Sequence, residues 1–401
     1  MSTTSPEKTD ERSDGRSKGP LLALAIGAFG IGTTEFAPMG LLPVIAKGVD
    51  VSIPSAGALV SVYAVGVMVG APVMTLAFAR FGRRTALMLL MAIFALGNLL
   101  SALSPDYVTL LLARLVTSLS HGAFFGLGSL VAASVVSKEK RSRAVATMFM
   151  GLTIANIGGV PAATWLGQHV GWRAAFAGTA AIGLVAIAAL WRALPPIAPA
   201  GAPDVRAELK VMTQPAVLLA MGTTVMGAGA MFTVYTYVAP ALSAITKASD
   251  GFETLALALI GIGFTIGASL GGRLSDWSLD GATKIVLAAL AIVMFVLPLL
   301  LASTIGAAIG LLLWGVVAFA FVPSVQTRVM QAASGAPGLA SSLNIGAFNL
   351  GNALGAAVGG VTLSLGMGYA AIPVAGGVLA LIGLLLTWFG RASIAPAASG
   401  S

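Results

Sequence analysis

Charge is what this sequence has least of. Only 9% of its 401 residues are Asp, Glu, Lys or Arg, while 57% are apolar; a soluble domain is about one quarter charged. So few charges cannot give even one ordinary domain a wettable surface, which excludes a soluble globular chain and leaves the bilayer as solvent. Cysteine is absent, so disulfide frameworks, iron–sulfur clusters and thiolate metal sites are excluded. No Gly-x4-Gly-Lys-Ser/Thr phosphate loop occurs, which argues against nucleotide-driven work. A secretory leader is not expected either. The first nineteen residues mix Glu7, Asp10, Glu11 and Asp14 with Lys8, Arg12, Arg16 and Lys18, without the basic opening and small-residue cleavage site of such a leader.

What is present is a series of long apolar runs. A spanning helix needs about 20 mostly apolar residues in a row, and runs lie near 21–43, 54–78, 84–104, 107–134, 143–167, 172–194, 214–241, 252–274, 283–302, 305–330, 338–364 and 368–390. These predict an all-α membrane protein of twelve spans. The net charge of +8 falls in short runs between apolar blocks, not in a stripe, so it reads as a positive-inside bias and not as a nucleic-acid surface. With the N-terminus inside, the inner segments hold eighteen of the twenty-two Lys and Arg residues, among them Arg80, Arg83, Arg84, Lys138, Lys140, Arg141 and Arg143. The outer segments hold Lys47, Arg173 and Lys247, and Arg114 lies within a span. Both termini are therefore expected in the cytoplasm, and the protein in the inner (plasma) membrane as a multi-pass chain.

The Pro- and Ala-rich stretch Pro195–Thr213 divides six spans from six. The expected organisation is a disordered tail (1–19), a six-helix bundle (20–194), a cytoplasmic linker (195–213), a second bundle (214–390) and a short tail (391–401). The halves echo each other. Thr34-Glu35-Phe36-Ala37-Pro38 in the first span parallels Thr236-Tyr237-Val238-Ala239-Pro240 in the seventh. Gly66 and Gly70 match Gly263 and Gly267 at a constant offset, and small residues recur every fourth place in the fifth and eleventh spans. Three matches in one order argue for duplication into two pseudo-symmetric bundles, an architecture known among transporters.

Thirteen of the fourteen acids fall in tails, loops or helix ends; Glu35 alone sits about fourteen residues into a span. An acid at the bilayer centre costs about 2.5–3.5 kcal/mol on insertion scales, so it must face a cavity or a partner. Arg114 is the one deeply placed base. The two either form a buried ion pair that fixes the first span against the fourth, or make a protonatable carboxylate with a nearby modulating cation. Arg114, Ser118, His121 and Phe125 share one helix face at i, i+4, i+7 and i+11. His121 is either an interior hydrogen bonder or a relay. Asn156, Asn344, Asn349 and Asn352 either lock helices or line a substrate path. Phe36, Met39, Phe232, Tyr235 and Tyr237 surround the duplicated signature and, with one carboxylate, would suit an amphipathic organic molecule. The small-residue stripes need only close packing, while Pro161 after Gly159 removes a backbone donor and favours a kink.

These segments resemble the major facilitator superfamily over nearly all of residues 20–390, and within it the drug–proton antiporter branch that includes arabinose-efflux-like and chloramphenicol-resistance permeases. The resemblance is carried by Gly32 through Pro43, Ala113-Arg114, His121 through Gly126, Asn156 to Gly167 with Gly171-Trp172-Arg173, and Asn344 through Asn352. The family's loop pattern Gly-x-x-x-Asp-Arg-x-Gly-Arg-Arg is similar to Thr75 through Arg84: Arg80, Gly82, Arg83 and Arg84 match, while the acid is Ala79. The repeat copy from Gly272 keeps its acid as Asp276, which implies that the C-terminal half supplies the cytoplasmic latch. The family's proton-transfer arginine maps onto Arg114, and its helix 5 signature onto Gly158 to Pro161 with Val160 interposed.

The resemblance implies proton-coupled efflux of a small organic molecule by alternating access. Glu35, Arg114 and His121 would serve coupling, protons would be the coupling ion, and no cofactor or metal is expected. A small-molecule substrate and the bilayer are the expected partners, with no nucleic acid, for a monomer. Proton symport, or exchange of a sugar or nucleoside, is the alternative. A membrane-embedded enzyme is more distant, because one interior Glu, one interior His and no Cys leave little to build a nucleophile or metal site.

Overall fold

The computed structural model describes residues 7–137, 140–196, 213–333 and 337–389. Most of the linker, the tail 391–401 and Lys138 lie outside the described residues. The helices are α1 (Glu7–Gly48), α2 (Ile53–Phe78), α3 (Arg83–Leu103), α4 (Tyr107–Ser134), α5 (Arg143–His169), α6 (Trp172–Ala193), α7 (Pro215–Thr236), α8 (Asp250–Trp277), α9 (Leu279–Leu300), α10 (Thr304–Ala332), α11 (Pro337–Ser364) and α12 (Ala371–Phe389). Among the described residues, eleven of these are long and apolar enough to cross a membrane, and α11 completes the twelve. Large apolar side chains such as Leu299, Ile305 and Leu365 stand exposed on the outside. Trp191, Trp277 and Trp388, at helix ends, are exposed too, as expected for an aromatic belt at a membrane interface.

Local chemistry sets the helix ends. Ser52, Ser249, Ser278 and Ser303 each accept a backbone N–H of the following turn, and Asp106 forms a capping box with Thr109. Ser303 thus separates α9 from α10 within one tight turn. Residues 7–19, expected as a disordered tail, continue α1 as helix; no proline interrupts this stretch between Pro6 and Pro20. The seventh run, expected to be one helix to 241, breaks at Tyr237 and continues as a short helix, Val238–Ala241, and a π turn, Leu242–Thr246. Pro240 explains the break, because it has no N–H for the carbonyl of Thr236. A second π turn, Ala155–Gly159, precedes Pro161 in α5, so the expected kink takes this form.

Helices α1–α6 form one bundle and α7–α12 the other. The repeated glycines do the same work in each. A Cβ on Gly66 or Gly70 would strike Ser118 or Leu119 of α4, and one on Gly263 or Gly267 would strike the backbone of α10 around Val316. Between the bundles, α2 runs along α11 and α5 along α8.

The two ends of the molecule differ. At the end carrying the α1–α2 and α7–α8 turns, here the loop end, one apolar core joins both bundles: Met39, Val60 and Val160 pack with Phe232, Leu257 and Ile260. Leu42 and Ala56 likewise pack with Tyr237 and Ile372. At the end carrying the start of α1, here the terminal end, each bundle has a core of its own. Leu24, Leu90, Val131, Met148 and Leu190 form one, while Val217 with Val329 and Leu287 with Phe321 belong to the other bundle. The halves share apolar cores at the loop end and have separate cores at the terminal end.

Candidate functional site

Glu35, Arg114 and His121 come together inside the first bundle, and all three are buried: 5%, 1% and 5% exposed. The partner of Glu35 is His121, with Oε2 3.8 Å from Nε2. No ion pair joins Glu35 to Arg114 among the described residues, although Arg114 lies within electrostatic reach. Arg114 instead donates through Nη1 to the main-chain carbonyl of Thr34 at 3.0 Å. Its guanidinium carbon lies 4.1 Å from the ring centroid of Tyr63, and its Nε and Nη2 have no partner. The bond to Thr34 follows from the sequence of α1. Pro38 cannot donate to the carbonyl four residues back, and a free carbonyl inside the membrane must find another donor.

Tyr63 also faces the other nitrogen of the imidazole, with its hydroxyl 3.2 Å from His121 Nδ1. Carboxylate, imidazole and phenol therefore form a short chain across α1, α4 and α2, each end of which is a group that can carry a proton. Thr34 is held from its other side, because its hydroxyl donates to Asn98 Oδ1. Thr179 donates to the same oxygen at 3.1 Å, and Asn98 Nδ2 donates to Phe94 O at 2.9 Å. The segment bearing Glu35 is thus pinned to α3, α4 and α6. Neither Tyr63 nor Asn98 was singled out in the sequence. Asn98 was visible there as an amide within an otherwise apolar run.

Phe36, next to Glu35, turns to the second bundle. Its ring stacks on Phe232 at 6.2 Å and meets Tyr235 at 5.5 Å. Phe232 touches Phe348, and Tyr235 touches Phe264 and Trp314. Met39 is buried in the same core, and Tyr235 lies within electrostatic reach of Glu35. Phe125 bridges His121 and Phe149 at 5.3 and 5.2 Å. A charged wall in one bundle meets an aromatic wall in the other. One small side cleft is bounded by Thr34, Pro38, Phe176 and Thr179, and another by Tyr237, Leu301, Tyr369 and Pro373.

The remaining candidates divide. Tyr237 leaves the aromatic wall: its hydroxyl donates to Ala356 O at 2.8 Å, and it packs with Leu42 and Ala56. Ser118 donates to Leu115 O within its own helix. Asn344 ties helices together, accepting from Thr224 and donating to Gln326, each at 2.7 Å. Asn156 Oδ1, Asn349 Oδ1 and both polar atoms of Asn352 are buried without partners, which leaves hydrogen-bonding capacity for a ligand.

At the terminal end Gly82 precedes α3 as its cap, Arg80 is exposed over Phe81, and Arg83 Nε has no partner. Among the described residues neither Arg80, Arg83 and Arg84 nor Asp276 is ion-paired. The paired acid here is Asp280, which takes Lys284 Nζ at 2.7 Å and Arg328 Nη1 at 3.1 Å. Arg328 also donates to Thr387 O at 3.3 Å, clamping α9, α10 and α12. Gly159 packs on Thr33 and Phe29, whereas Gly272 faces open space.

Residues 24–356 match the Major Facilitator Superfamily. An inner membrane transport protein of Escherichia coli (strain K12), YdhP, is 61% identical over 369 residues, covering 92% of this chain and 95% of that one. A chloramphenicol resistance protein of Streptomyces lividans is 32% identical over 383 residues, covering 94% and 98%. The crystal structure of a D-xylose-proton symporter has the same fold, with a TM-score of 0.72 at 18% identity over 92% of this chain and 97% of that one. With the buried polar chain, the paired bundles and these matches in hand, the protein is a membrane transporter and not an enzyme: it belongs to the Major Facilitator Superfamily.

Proposed function

We propose that this chain exports a small organic molecule, a drug or a metabolite, from the cytoplasm in exchange for protons. The observation that carries the reading is Glu35, a carboxylate at mid-span facing His121 at 3.8 Å and adjoining the aromatic seam between the bundles. A proton bound there changes the charge at the seam. A membrane potential of about 100 mV supplies roughly 2.3 kcal/mol per charge moved, enough for more than a tenfold gradient of a neutral substrate. The distribution of Lys and Arg supports an orientation with both termini in the cytoplasm. The shared core then closes the outer side, and the separate cores of the terminal end flank the inward path. Arg114 modulates the site through Thr34 and Tyr63, and His121 relays between Glu35 and Tyr63. The relative named for chloramphenicol resistance supports export over uptake.

Purified protein in liposomes with an imposed pH gradient tests this. Substrate should move against the proton flux. Movement in the same direction as protons would make the chain a symporter, and movement indifferent to the gradient would make it a passive exchanger.

A further inference from the structure

At the loop end, far along α5 and α8 from Glu35, one side-chain pair joins the bundles. Gln168 Nε2 donates to Glu253 Oε2 at 2.8 Å, and among the described residues this is the hydrogen bond that links the halves side chain to side chain. Glu253 is 6% exposed. The other atom of the same carboxamide, Gln168 Oε1, is buried with no partner. An ionised carboxylate cannot satisfy it, because it has no hydrogen to give. A protonated one can: the acid O–H donates to Oε1 while the amide N–H donates to the acid carbonyl, and both groups are then paired.

We propose that Glu253 is a second proton-binding site, at which proton uptake completes a two-hydrogen-bond acid–amide pair with Gln168 and fastens the bundles together at the loop end. Among the described residues no cation pairs with Glu253 to hold the ionised form: Lys247, in the α7–α8 connection, is exposed, and Arg173, at the start of α6, donates to Ser104 O at 2.8 Å. Asp250 shares the first turn of α8. Helices α9 and α10, packed against α8, bring no ionisable side chain to this end. Helix α5 brings His169, whose Nδ1 is engaged with Trp165 O at 2.8 Å and whose ring stacks on Trp165. Helix α1 brings Lys47, which is exposed at its last turn. The site does not depend on Glu35. A group that holds its proton more tightly in the closed form favours closure as pH falls. On the orientation proposed above, that proton comes from outside, so acid closes the outer face.

The chain has no cysteine, so spin labels can be placed at exposed Val170 and Met367, one in each bundle at this end. Distances are read by double electron–electron resonance on the full chain in lipid nanodiscs. A Glu35→Gln background removes the response of that carboxylate. Between pH 8 and pH 5 the closed-to-open ratio should rise about fivefold, the equilibrium effect of one net hydrogen bond. Glu253→Gln, whose carboxamide can also both donate and accept, should be closed at both pH values. Gln168→Leu should lose the pH response while remaining folded by size-exclusion chromatography. A Glu253→Gln chain that responds to pH as fully as its parent, or a parent without any response, would overturn the proposal.

Discussion

The guanidinium of Arg114 occupies, at 3.0 Å, the place beside the Thr34 carbonyl that a backbone N–H would fill if residue 38 were not proline. Helix α1 stays continuous through Pro38 with this external donor. In the second bundle no arginine among the described residues donates to the Thr236 carbonyl that Pro240 leaves free, and helix α7 breaks at Tyr237. The same duplicated signature therefore yields a continuous helix carrying an acid in one half and an interrupted helix carrying a phenol in the other.

That relationship makes a suppressor experiment possible. Arg114→Met, whose side chain has no N–H to give, leaves the Thr34 carbonyl buried and unpaired, a loss of about 1–3 kcal/mol, seen as a lower unfolding temperature in detergent. Pro38→Ala restores an N–H four residues on, so the double variant should recover about 1 kcal/mol relative to the sum of the single changes. Strict additivity would show that the carbonyl is not what Arg114 serves.

Glu35→Gln keeps the size of the side chain and removes its titration. It should abolish pH-driven transport in liposomes while leaving folding intact and substrate binding largely retained. Accumulation against a gradient at the wild-type rate in this variant would exclude Glu35 as the coupling group.

Single cysteines report the orientation without background. Those at Val170 and Met367 should react with an impermeant maleimide added to intact cells, and those at exposed Arg80 and Trp277 only after the membrane is opened. The reverse pattern would invert the topology.

Two glycines separate packing from motif. A Cβ at Gly261 of α8 would strike the main-chain carbonyl of Asn156 in the π turn of α5, while one at Gly272 would meet open space. Gly261→Val should weaken closure of the loop end and cut transport at least tenfold in folded protein. Gly272→Ala should leave both unchanged. Equal loss in the two variants would mean that a shared backbone requirement, not the bundle contact, is at work.

Much of this molecule was legible in its residues. Scarce charge and twelve apolar runs dictate a bilayer-spanning helical chain, because hydrocarbon tolerates neither exposed backbone nor scattered ions. The duplicated signature and the glycine offsets revealed two related halves, and those glycines then lie against α4 and α10 in matching fashion. Glu35, Arg114 and His121 stood out because an ionisable group inside a span needs a reason. The partners of these groups were not legible. Spacing along one helix brings Arg114 and His121 to one face, yet it cannot say that the imidazole faces Glu35 while the guanidinium turns to a carbonyl. Tyr237 looked equivalent to Glu35, but the break at Pro240 carries it to Ala356 instead. Among the described residues Asp276 makes no ion pair, while Asp280 pairs with Lys284 and Arg328, because helix register decides which carboxylate meets Arg328 of α10. The sequence by itself determined the solvent, the number of spans, the duplication and the few residues whose burial must be compensated. Tertiary structure alone decided who compensates them, since hydrogen bonds and ion pairs act over about 3–4 Å and chain segments far apart in order must be packed before such distances exist.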